Sequence, residues 1–287
     1  MKIDLHSHST ASDGSLSPSQ LVHHASERKL DLIALTDHDT VSGLLEFNTA
    51  GVRFGVQTLN GTELSVDVED HTLHLLGYGF DPENPTLISV LPELRTSRHN
   101  RNIKILEKLT QLGYPLDPDR VALRARNGVL GRPHIAAELV ASAGLTSIHE
   151  AFEKLLTRGG PAYFDRERLT LGKACAIIHA AGGAAIWAHP GVHGDELPSM
   201  LEMLPDWQKE GLDGLESDYP THSPALRNNL QERAGRLGMI FTGGSDFHGS
   251  YRPNIDLGQG VEKLSIPDEC YYQLRERIDA YQALLSK

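Results

Sequence analysis

The chain has 287 residues, of which 39 % are hydrophobic, and its formal net charge is −11. This length and composition suit one large α/β domain or one domain with a smaller insertion, while the negative charge argues against a general nucleic-acid surface. No apolar run approaches the roughly 18 residues of a membrane span, and two cysteines argue against a disulfide scaffold or a thiolate zinc site. Because the first strand begins at residue 2, there is no room for a signal peptide, and we expect a cytoplasmic protein with two buried, reduced thiols and no membrane partner.

Strands and helices alternate in the first 80 residues. The sequence predicts strands at 2–6, 31–36, 53–59 and 72–80, and helices at 17–29 and 41–48. A cluster with two prolines at 81–85 breaks the alternation, and the next residues predict helices at 88–112, 135–143 and 148–156. The alternation then resumes with helices at 172–181, 197–210, 225–237 and 269–285, and strands at 184–188, 214–217 and 239–243.

The helical stretch is also a basic segment in an acidic chain. From Arg95 to Arg168 there are 13 Lys and Arg residues against 8 Asp and Glu residues. Strands separated by helices predict a parallel α/β sheet, with a strand count nearer seven than eight. We therefore predict a barrel domain formed by residues 1–85 and 169–287, with a helical, basic insertion domain at 86–168 over the carboxyl ends of the strands.

Histidines and carboxylates follow four of the predicted strands. They lie in His6-Ser7-His8 with Asp13, Thr36-Asp37-His38-Asp39, Ala188-His189-Pro190 and Ser245-Asp246-Phe247-His248. Alternate residues of a strand face the same side, so His6 and His8 can bind one cation, and Asp246 and His248 repeat the arrangement. A single His-x-His pair is usually a surface or core feature, but several such strand ends together indicate a metal centre at the carboxyl face of a barrel.

Three further residues are candidates for the same site. Glu63 follows a predicted strand end and could bridge two cations, although a turn carboxylate is the simpler interpretation of this residue alone. His74 lies in an apolar run, where a core histidine is common, but strand alternation places it opposite Leu73 and Leu75. His134 begins a predicted helix directly after Arg132, which could meet an anion.

The four strand-end segments resemble the four motifs of the polymerase and histidinol phosphatase (PHP) superfamily. The resemblance covers residues 1–80 and 172–287, and the order of the motifs makes it specific. Segments 98–101 and 131–134 are similar to the branch with a helical insertion, which includes 3′,5′-nucleoside bisphosphate phosphatases that also trim short RNAs from the 5′ end. The resemblance implies a distorted (β/α)7 barrel that holds two or three divalent metal ions.

The resemblance also implies three sets of metal ligands. The first set is His6, His8, Glu63 and Asp246, the second is Glu63, His74 and His134, and the third is Asp13, His38 and His248. Glu63 is then the bridge, while His189 is left open as a ligand, a proton donor or a group that orients a ligand; we favour the proton donor. Imidazoles and carboxylates without thiolate suit Mn²⁺, our first choice, or Fe²⁺ or Zn²⁺, better than Ca²⁺.

This chemistry predicts hydrolysis of phosphate esters. Cations about 3.5–4 Å apart activate a water and stabilise phosphoryl oxygens, so the predicted catalytic residues are His189, Glu63 and Asp246, and no protein nucleophile is required. A guanidinium group binds phosphate in a planar, two-point manner, so the basic insertion is expected to bind a second phosphate. The predicted substrate contacts are Arg98, Arg101, Arg132, His134 and Asp39, whereas the sequence is interpreted as placing Lys104, Lys108, Arg124 and Arg126 on a solvated helix face.

The sequence therefore predicts removal of the 3′-phosphate from 3′,5′-bisphosphonucleosides, for example pAp to AMP, with short 5′-phosphorylated RNA as a second candidate substrate and no obligate protein partner. Histidinol phosphate, or another small phosphomonoester, is an alternative substrate that needs the metal cluster but not the arginines. A non-catalytic, metal-stabilised nucleotide-binding module and a zinc amidohydrolase are two further alternatives. The first would be expected to have lost some ligand positions, and the second lacks an obvious carboxylated lysine.

Overall fold

The computed structural model describes residues 1–69, 71–125, 128–259 and 264–286. The strands are β1 (Ile3–Asp4), β2 (Leu32–Leu35), β3 (Gln57–Val68), β4 (His71–Tyr78), β5 (Leu169–Thr170), β6 (Ala184–Trp187), β7 (Gly214–Asp218) and β8 (Ile240–Gly243). The helices before β5 are α1 (Pro18–Glu27), α2 (Leu44–Phe54), α3 (Pro85–Gln111), α4 (Pro118–Arg124), α5 (Arg132–Ser142) and α6 (Ile148–Ala151), followed by a π-helical turn at Phe152–Leu156. The later helices are α7 (Leu171–Ala180), α8 (Leu197–Glu202), α9 (Leu204–Lys209), α10 (Pro224–Leu237) and α11 (Glu269–Leu285), with 3₁₀ turns at Pro190–Glu196 and Gly249–Tyr251.

One mixed sheet organises these elements. The strand order is β1-β2-β3-β4-β6-β7-β8, and the short β5 pairs with β3 beside this path. The predicted α/β class with a mostly parallel sheet is confirmed, but the expectation that all strands are parallel is wrong for β4, which is antiparallel to both neighbours. Only residues 69 and 70 join β3 to β4, and a parallel crossover needs a dozen or more residues.

The two ends of the strand order meet. Backbone hydrogen bonds run from Leu5 N to Gly243 O (3.3 Å), from Asp246 N to His6 O (2.9 Å) and from His8 N to Phe247 O (2.9 Å). A Cβ atom at Gly244 would lie 2.2 Å from the Cβ atom of His6, so a glycine is required where these segments pass. The histidine motif after β1 therefore lies beside the Asp-x-His motif after β8, while closure of a complete barrel stays a prediction.

The helix–strand boundary near residue 54 differs from the prediction. Residues 53 and 54 end α2 rather than begin a strand, because its buried residues recur at helical spacing and Gly55 closes the helix with a φ of 69°. The predicted strand end before Glu63 is also wrong, since β3 continues to Val68 and pairs with β4 from Gly61 to Val68. Glu63 thus projects from the middle of a long strand, a pairing that local sequence does not reveal.

The second half of α3 packs with the helices α4 to α6 into one group. Among the described residues between 86 and 168 there is no strand, as the sequence predicted. The apolar side chains of this group form a cluster that includes Ile105, Leu109, Val121, Ile135 and Leu139. Leu87, Leu91 and Leu94, in the first half of α3, belong instead to a core cluster on the sheet. Two other clusters pack on the faces of the sheet. The proposed boundaries of the insertion domain, at 86 and 168, stay a prediction.

Two smaller expectations concern the thiols and the membrane. Cys175 and Cys270 are both free and buried, which confirms the interpretation of two unbonded core thiols. In the part of the chain that the structure describes, none of the helices has the length and apolar character needed to span a bilayer.

A buried carboxylate beside the amino end of β7 forms hydrogen bonds with α7, β6 and α11. Asp213 accepts hydrogen bonds from His179 Nε2, the Tyr281 hydroxyl and Arg277 Nη1, each at 2.8 Å, and from Ala185 N at 2.9 Å. Burial raises the pKa of Asp213, but the bonds from His179 and Ala185 outweigh burial and hold that pKa below its usual value. The charged form of Asp213 therefore stabilises the fold.

We expect Asp213→Asn to lower the free energy of unfolding at pH 7 by about 1.5–3 kcal/mol, the range for hydrogen bonds to a charged group. Because the pKa is lowered in the folded state, the stabilisation is present above the unfolded value of about 3.9 and is lost as pH falls through the folded value. Urea unfolding from pH 7 to pH 3 measures this, with the exposed Asp206→Asn as control. If the difference in unfolding free energy between wild type and Asp213→Asn stayed constant below pH 4, the role of Asp213 would be contradicted.

Candidate metal centre and arginine cavity

The carboxyl ends of the parallel strands deliver histidines and carboxylates to one buried place. His6 and His8 follow β1, His38 follows β2, His189 follows β6, and Asp246 and His248 follow β8, while Glu63 projects from β3 and His74 from β4. Glu63 is 1 % exposed and Asp246 is 3 % exposed, so both carboxylates are largely shielded from bulk solvent. The sequence prediction that these segments share one face is consistent with this placement.

Glu63 and Asp246 hold the first group of imidazoles. The Oε2 atom of Glu63 lies 3.4 Å from His6 Nε2, 3.2 Å from His8 Nε2 and 3.2 Å from His38 Nδ1. The Oδ1 atom of Asp246 lies 3.5 Å from His6 Nε2 and 3.2 Å from His8 Nε2. The structure therefore brings together the first predicted ligand set and adds His38 to its edge.

The second oxygen of Glu63 faces another pair of histidines. Its Oε1 atom lies 2.8 Å from His74 Nδ1 and 3.0 Å from His189 Nε2, and these two nitrogens are 3.3 Å apart. His134, which the family resemblance placed with Glu63 and His74, has its contacts elsewhere. The residue that the fold brings to Glu63 and His74 is His189, because β6 pairs with β4 and ends beside it.

His134 lies at the opposite side of the cluster, near Asp13. Its Nδ1 atom accepts a hydrogen bond from Gly131 N (3.0 Å), and its ring meets Tyr251 edge-on at 5.6 Å between centroids. Burial lowers the pKa of His134 to about 4 although Asp13 opposes the shift. The neutral ring accepts at Nδ1, so it carries its proton on Nε2, a buried atom without a hydrogen-bond partner among the described residues.

The third group surrounds Asp13. Its Oδ1 atom lies 3.6 Å from His8 Nδ1 and 3.5 Å from His248 Nε2, and its Oδ2 atom lies 3.7 Å from His38 Nε2. Ligand atoms of His8, Asp13, His38 and His248 all lie within 4.8 Å of one another. This group contains the third predicted ligand set and adds His8.

The donor set fits divalent cations. Buried charged groups are costly unless they are paired or coordinate a metal, and this cluster buries three carboxylates among its imidazoles. The Nδ1 atom of His8 is buried and has no hydrogen-bond partner among the described residues, although it faces Asp13. Nitrogen and oxygen donors without a thiolate are typical of Mn²⁺, Fe²⁺ and Zn²⁺ sites.

The electrostatics also favour positive charge. Burial opposes protonation of His8, but hydrogen bonds with Asp246 and Glu63 outweigh it and raise its pKa to about 10. Burial raises the carboxyl pKa of Glu63, but nearby histidines hold the pKa well below its usual range. Burial lowers the pKa of His38 to about 3 despite Glu63 and Asp13, and Arg98 contributes to this shift. The carboxylates therefore remain charged at neutral pH.

Sequence reasoning missed three residues that hold the ligands in place. Glu216 of β7 accepts from His6 Nδ1 at 3.1 Å through Oε1, and from His189 N at 2.8 Å through Oε2. The Tyr219 hydroxyl donates to Asp246 Oδ2 at 2.9 Å, and Arg252 Nη1 donates to the same oxygen. A glutamate inside a strand that is buried along its whole length was the signal that could have found Glu216.

His222 has a similar role for the turn after His189. Gly191 N donates to His222 Nε2 at 3.0 Å, and His222 Nδ1 donates to Ser217 O at 2.8 Å. His189 itself has a φ of 33°, a region that non-glycine residues rarely adopt. His222, interpreted from sequence as a surface or packing residue, therefore attaches this turn to β7.

A cavity of about 530 Å³ opens onto the metal centre. It is lined by the side chains of Arg98, Arg101, Arg132, Arg158, Arg166, Arg168 and Arg252 together with Asp13, Glu63, His74, His189 and Asp246. Three of these arginines were predicted as substrate contacts. The other four, Arg158, Arg166, Arg168 and Arg252, were missed. The alternate spacing of Arg166 and Arg168 just before β5, inside the basic segment, was a signal that could have found two of them.

Arg101 is buried and Arg132 is half-buried in this wall, and neither has a carboxylate within 4.0 Å among the described residues. Arg101 donates from Nε and Nη2 to Asn102 Oδ1, at 3.2 and 2.8 Å. Arg132 donates to Leu156 O at 3.0 Å and lies over the ring of Tyr163. Burial and neighbouring arginines lower the pKa of both guanidinium groups. Among the described residues, no carboxylate therefore pairs with the positive charges of these two arginines.

Asp39 and Arg124 do not line the cavity. Asp39 is fully buried, and its Oδ2 atom accepts from Arg98 and Arg166, so it lies behind the arginines rather than at the cavity surface. The prediction of Asp39 as a substrate contact therefore has no support from its position. Arg124 pairs with Glu138 at 2.6 Å, while Arg126 lies outside the described residues.

The fold and the site together define a class: an α/β protein with buried clusters of imidazoles and carboxylates at the carboxyl ends of its strands. Residues 4–128 match the PHP domain family. The 3′,5′-nucleoside bisphosphate phosphatase of Chromobacterium violaceum is 34 % identical over 284 residues, 96 % of this chain and 97 % of that protein. The 5′-3′ exoribonuclease of Haemophilus influenzae is 34 % identical over 247 residues, 86 % of this chain and 90 % of that protein.

A solved structure described as a metal-dependent phosphoesterase, from Bifidobacterium adolescentis, superimposes with a TM-score of 0.86 at 31 % identity and covers 96 % of both chains. The chain belongs to the PHP family. It is a phosphoesterase, a hydrolase that binds divalent metal in its buried His/Asp/Glu clusters. The resemblance drawn from the four strand-end motifs and the predicted enzyme class are both confirmed.

Proposed function

We propose that this protein removes the 3′-phosphate from 3′,5′-bisphosphonucleosides. The observation that carries the proposal is the pair of guanidinium groups of buried Arg101 and half-buried Arg132, in the wall of the cavity that also opens onto Glu63 and Asp246. A substrate with two phosphates would place one at the metal centre and the other against the arginines. The activity named for the Chromobacterium violaceum relative agrees with this arrangement.

We propose two or three divalent cations, with Mn²⁺ preferred, in the three groups described above. The first cation would be held by His6, His8, Glu63 and Asp246, and the second by Glu63, His74 and His189. The third would be held by Asp13, His38 and His248, with His8 beside them. Bound cations of this kind activate water and neutralise charge on phosphoryl oxygens. His189 is thus proposed as a ligand in place of His134, which differs from the proton-donor role that the sequence favoured.

The chain's own residues would orient the substrate. His134 does not line the cavity, so its predicted contact with the substrate has no support from its position, although its Nε2–H group has no hydrogen-bond partner among the described residues. Arg101 and Arg132 would hold the second phosphate at a fixed distance. Alignment of the ester before reaction lowers the entropic part of the barrier.

Short 5′-phosphorylated RNA is the second proposed substrate. Its first nucleotide would place a 5′-phosphate against the arginines and a phosphodiester at the metal centre. The names of the Haemophilus influenzae and Escherichia coli relatives, both 5′-3′ exoribonucleases, support this possibility for the same site.

Phosphate release by the purified, Mn²⁺-supplied protein tests the proposal. We would compare 3′,5′-bisphosphoadenosine, 3′-AMP, 5′-AMP and histidinol phosphate side by side. The expected result is a strong preference for the bisphosphate with 5′-AMP as product. Preference for histidinol phosphate would replace the proposed substrate, and 3′-AMP as product would mean that the opposite phosphate is removed.

Arg101→Gln is expected to raise KM for the bisphosphate by roughly 10-fold, since a charge-assisted hydrogen bond contributes about 1.5–3 kcal/mol. The kcat on 3′-AMP, which lacks the second phosphate, should stay within about 2-fold because the metal centre is untouched. Arg120→Gln is the matched control, because Arg120 belongs to the same helical segment but pairs with Glu138. An equal loss on both substrates would show that Arg101 does not bind the second phosphate.

A further inference from the structure

One buried carboxylate joins the metal centre to the arginine wall. Asp39 directly follows His38, which contacts Glu63 and Asp13, and its Oδ2 atom accepts hydrogen bonds from two arginines of the cavity. We propose that Asp39 is a positioning residue that sets the distance between the metal centre and the arginines, and so selects substrates by the spacing of their two phosphates. This inference rests on the proposed function and specifies what controls its selectivity.

On the side of the metal centre, the backbone of Asp39 is attached to the strand that carries Glu63. Asp39 N donates to Glu63 O at 3.1 Å, and Glu63 N donates to Asp37 O at 3.1 Å. Ser65 N donates to the Oδ1 atom of Asp39 at 3.4 Å. Asp39 has a φ of 52°, and such a conformation persists in a non-glycine residue only where the surrounding contacts enforce it.

On the other side, the carboxylate aligns two guanidinium groups from distant parts of the chain. Its Oδ2 atom accepts from Arg98 Nε at 3.0 Å and Arg98 Nη2 at 2.7 Å, and from Arg166 Nη2 at 2.8 Å. Arg98 belongs to α3, whereas Arg166 precedes β5. Both side chains line the cavity, and the bonds of Arg98 through Nε and Nη2 leave its Nη1 group for another acceptor.

Charge and geometry predict opposite effects for a change at this residue. If Asp39 only neutralised the arginines, its removal would make the cavity more positive and anions would bind more tightly. If Asp39 aligns the arginines, loss or displacement of its carboxylate would weaken anion binding, because the planar donors would no longer point to one place. Buried Arg98 and Arg166 are both over nine-tenths shielded from water, so they depend on this partner for orientation.

Sulfate binding to the metal-free protein, measured by calorimetry, separates these possibilities. We would compare wild type with Asp39→Asn, which removes the charge and tolerates a positive φ, and Asp39→Glu, which keeps the charge and displaces it by one methylene. The positioning role predicts roughly 10-fold weaker sulfate binding in both variants. Tighter binding in Asp39→Asn with unchanged binding in Asp39→Glu would overturn it, as would unchanged binding in both.

Substrate selectivity provides the second measurement. In the Mn²⁺-loaded protein, both variants should lower the ratio of kcat/KM for 3′,5′-bisphosphoadenosine to kcat/KM for 3′-AMP by roughly 10-fold, with the metal content retained. A parallel fall in both activities with lost metal would assign Asp39 to the metal centre alone and overturn the proposal.

Glu138→Gln is the matched control for these experiments. Glu138 is also buried and also holds two arginines, Arg120 at 2.9 Å and Arg124 at 2.6 Å, but neither of those lines the cavity at the metal centre. It should change stability without changing the selectivity ratio. If wild type shows no preference for the bisphosphate, the proposed function fails, and the sulfate measurement still decides the role of Asp39.

Discussion

Glu63→Gln is expected to abolish nearly all metal-dependent phosphate release, with a loss in kcat of about 10³-fold or more, the upper end for removal of one electrostatic group from a catalytic site. The physical reason is its central position. One oxygen faces His6, His8 and His38, and the other faces His74 and His189, so a single carboxylate serves two proposed cation sites. An amide of the same shape has no negative charge and only one acceptor atom.

Three measurements check this expectation: steady-state phosphate release, the metal content of the purified protein, and thermal unfolding of the metal-free form. Glutamine fills the same volume, so the metal-free fold should persist while the bound metal falls. Asp246→Asn should act in the same direction, because Asp246 shares His6 and His8 with Glu63. A Glu63→Gln protein that keeps full metal content and more than about a tenth of its activity would disprove the bridging role.

Glu216→Gln is expected to weaken metal binding by roughly 10- to 100-fold, the usual cost of losing a partner that orients a metal ligand. Glu216 accepts a hydrogen bond from His6 Nδ1, and the Nε2 atom of that ring is directed at Glu63 and Asp246. Its other oxygen receives the backbone N–H of His189. Removal of its charge therefore weakens the contacts that orient His6 and His189, although Glu216 is not itself a proposed ligand.

Competition with a coloured chelator measures the affinity of the Glu216 variant. Excess Mn²⁺ should restore most of its activity, whereas excess metal should not rescue Glu63→Gln, because the latter lacks a ligand. Glu202→Gln, at an exposed pair with Arg233, is the control and should leave affinity unchanged. Affinity in Glu216→Gln equal to that of wild type would mean that the packing of His6 alone orients its ring.

Local sequence was sufficient to predict where the chemistry lies. The His-x-His and Asp-x-His spacings follow from the period of two along a strand, and alternating strands and helices place strand ends on one face. That is why His6, His8, His38, Asp246 and the protein class were all accessible before the structure. The basic composition of residues 95–168 similarly predicted arginines for a second phosphate, and three of them do line the cavity.

Only the tertiary structure decided which distant residues complete the site. His189 rather than His134 meets Glu63 because β4 pairs antiparallel with β6, and no local pattern encodes that pairing. Asp39 was predicted from the sequence as a substrate contact, yet Arg98 and Arg166 converge on it from segments far along the chain. Composition, period and motif order are local properties, so the sequence by itself determined the class and the face of the site. Long-range strand pairing and the packing of buried charges are not local, and they determined which side chains meet at the site and which residues hold them there.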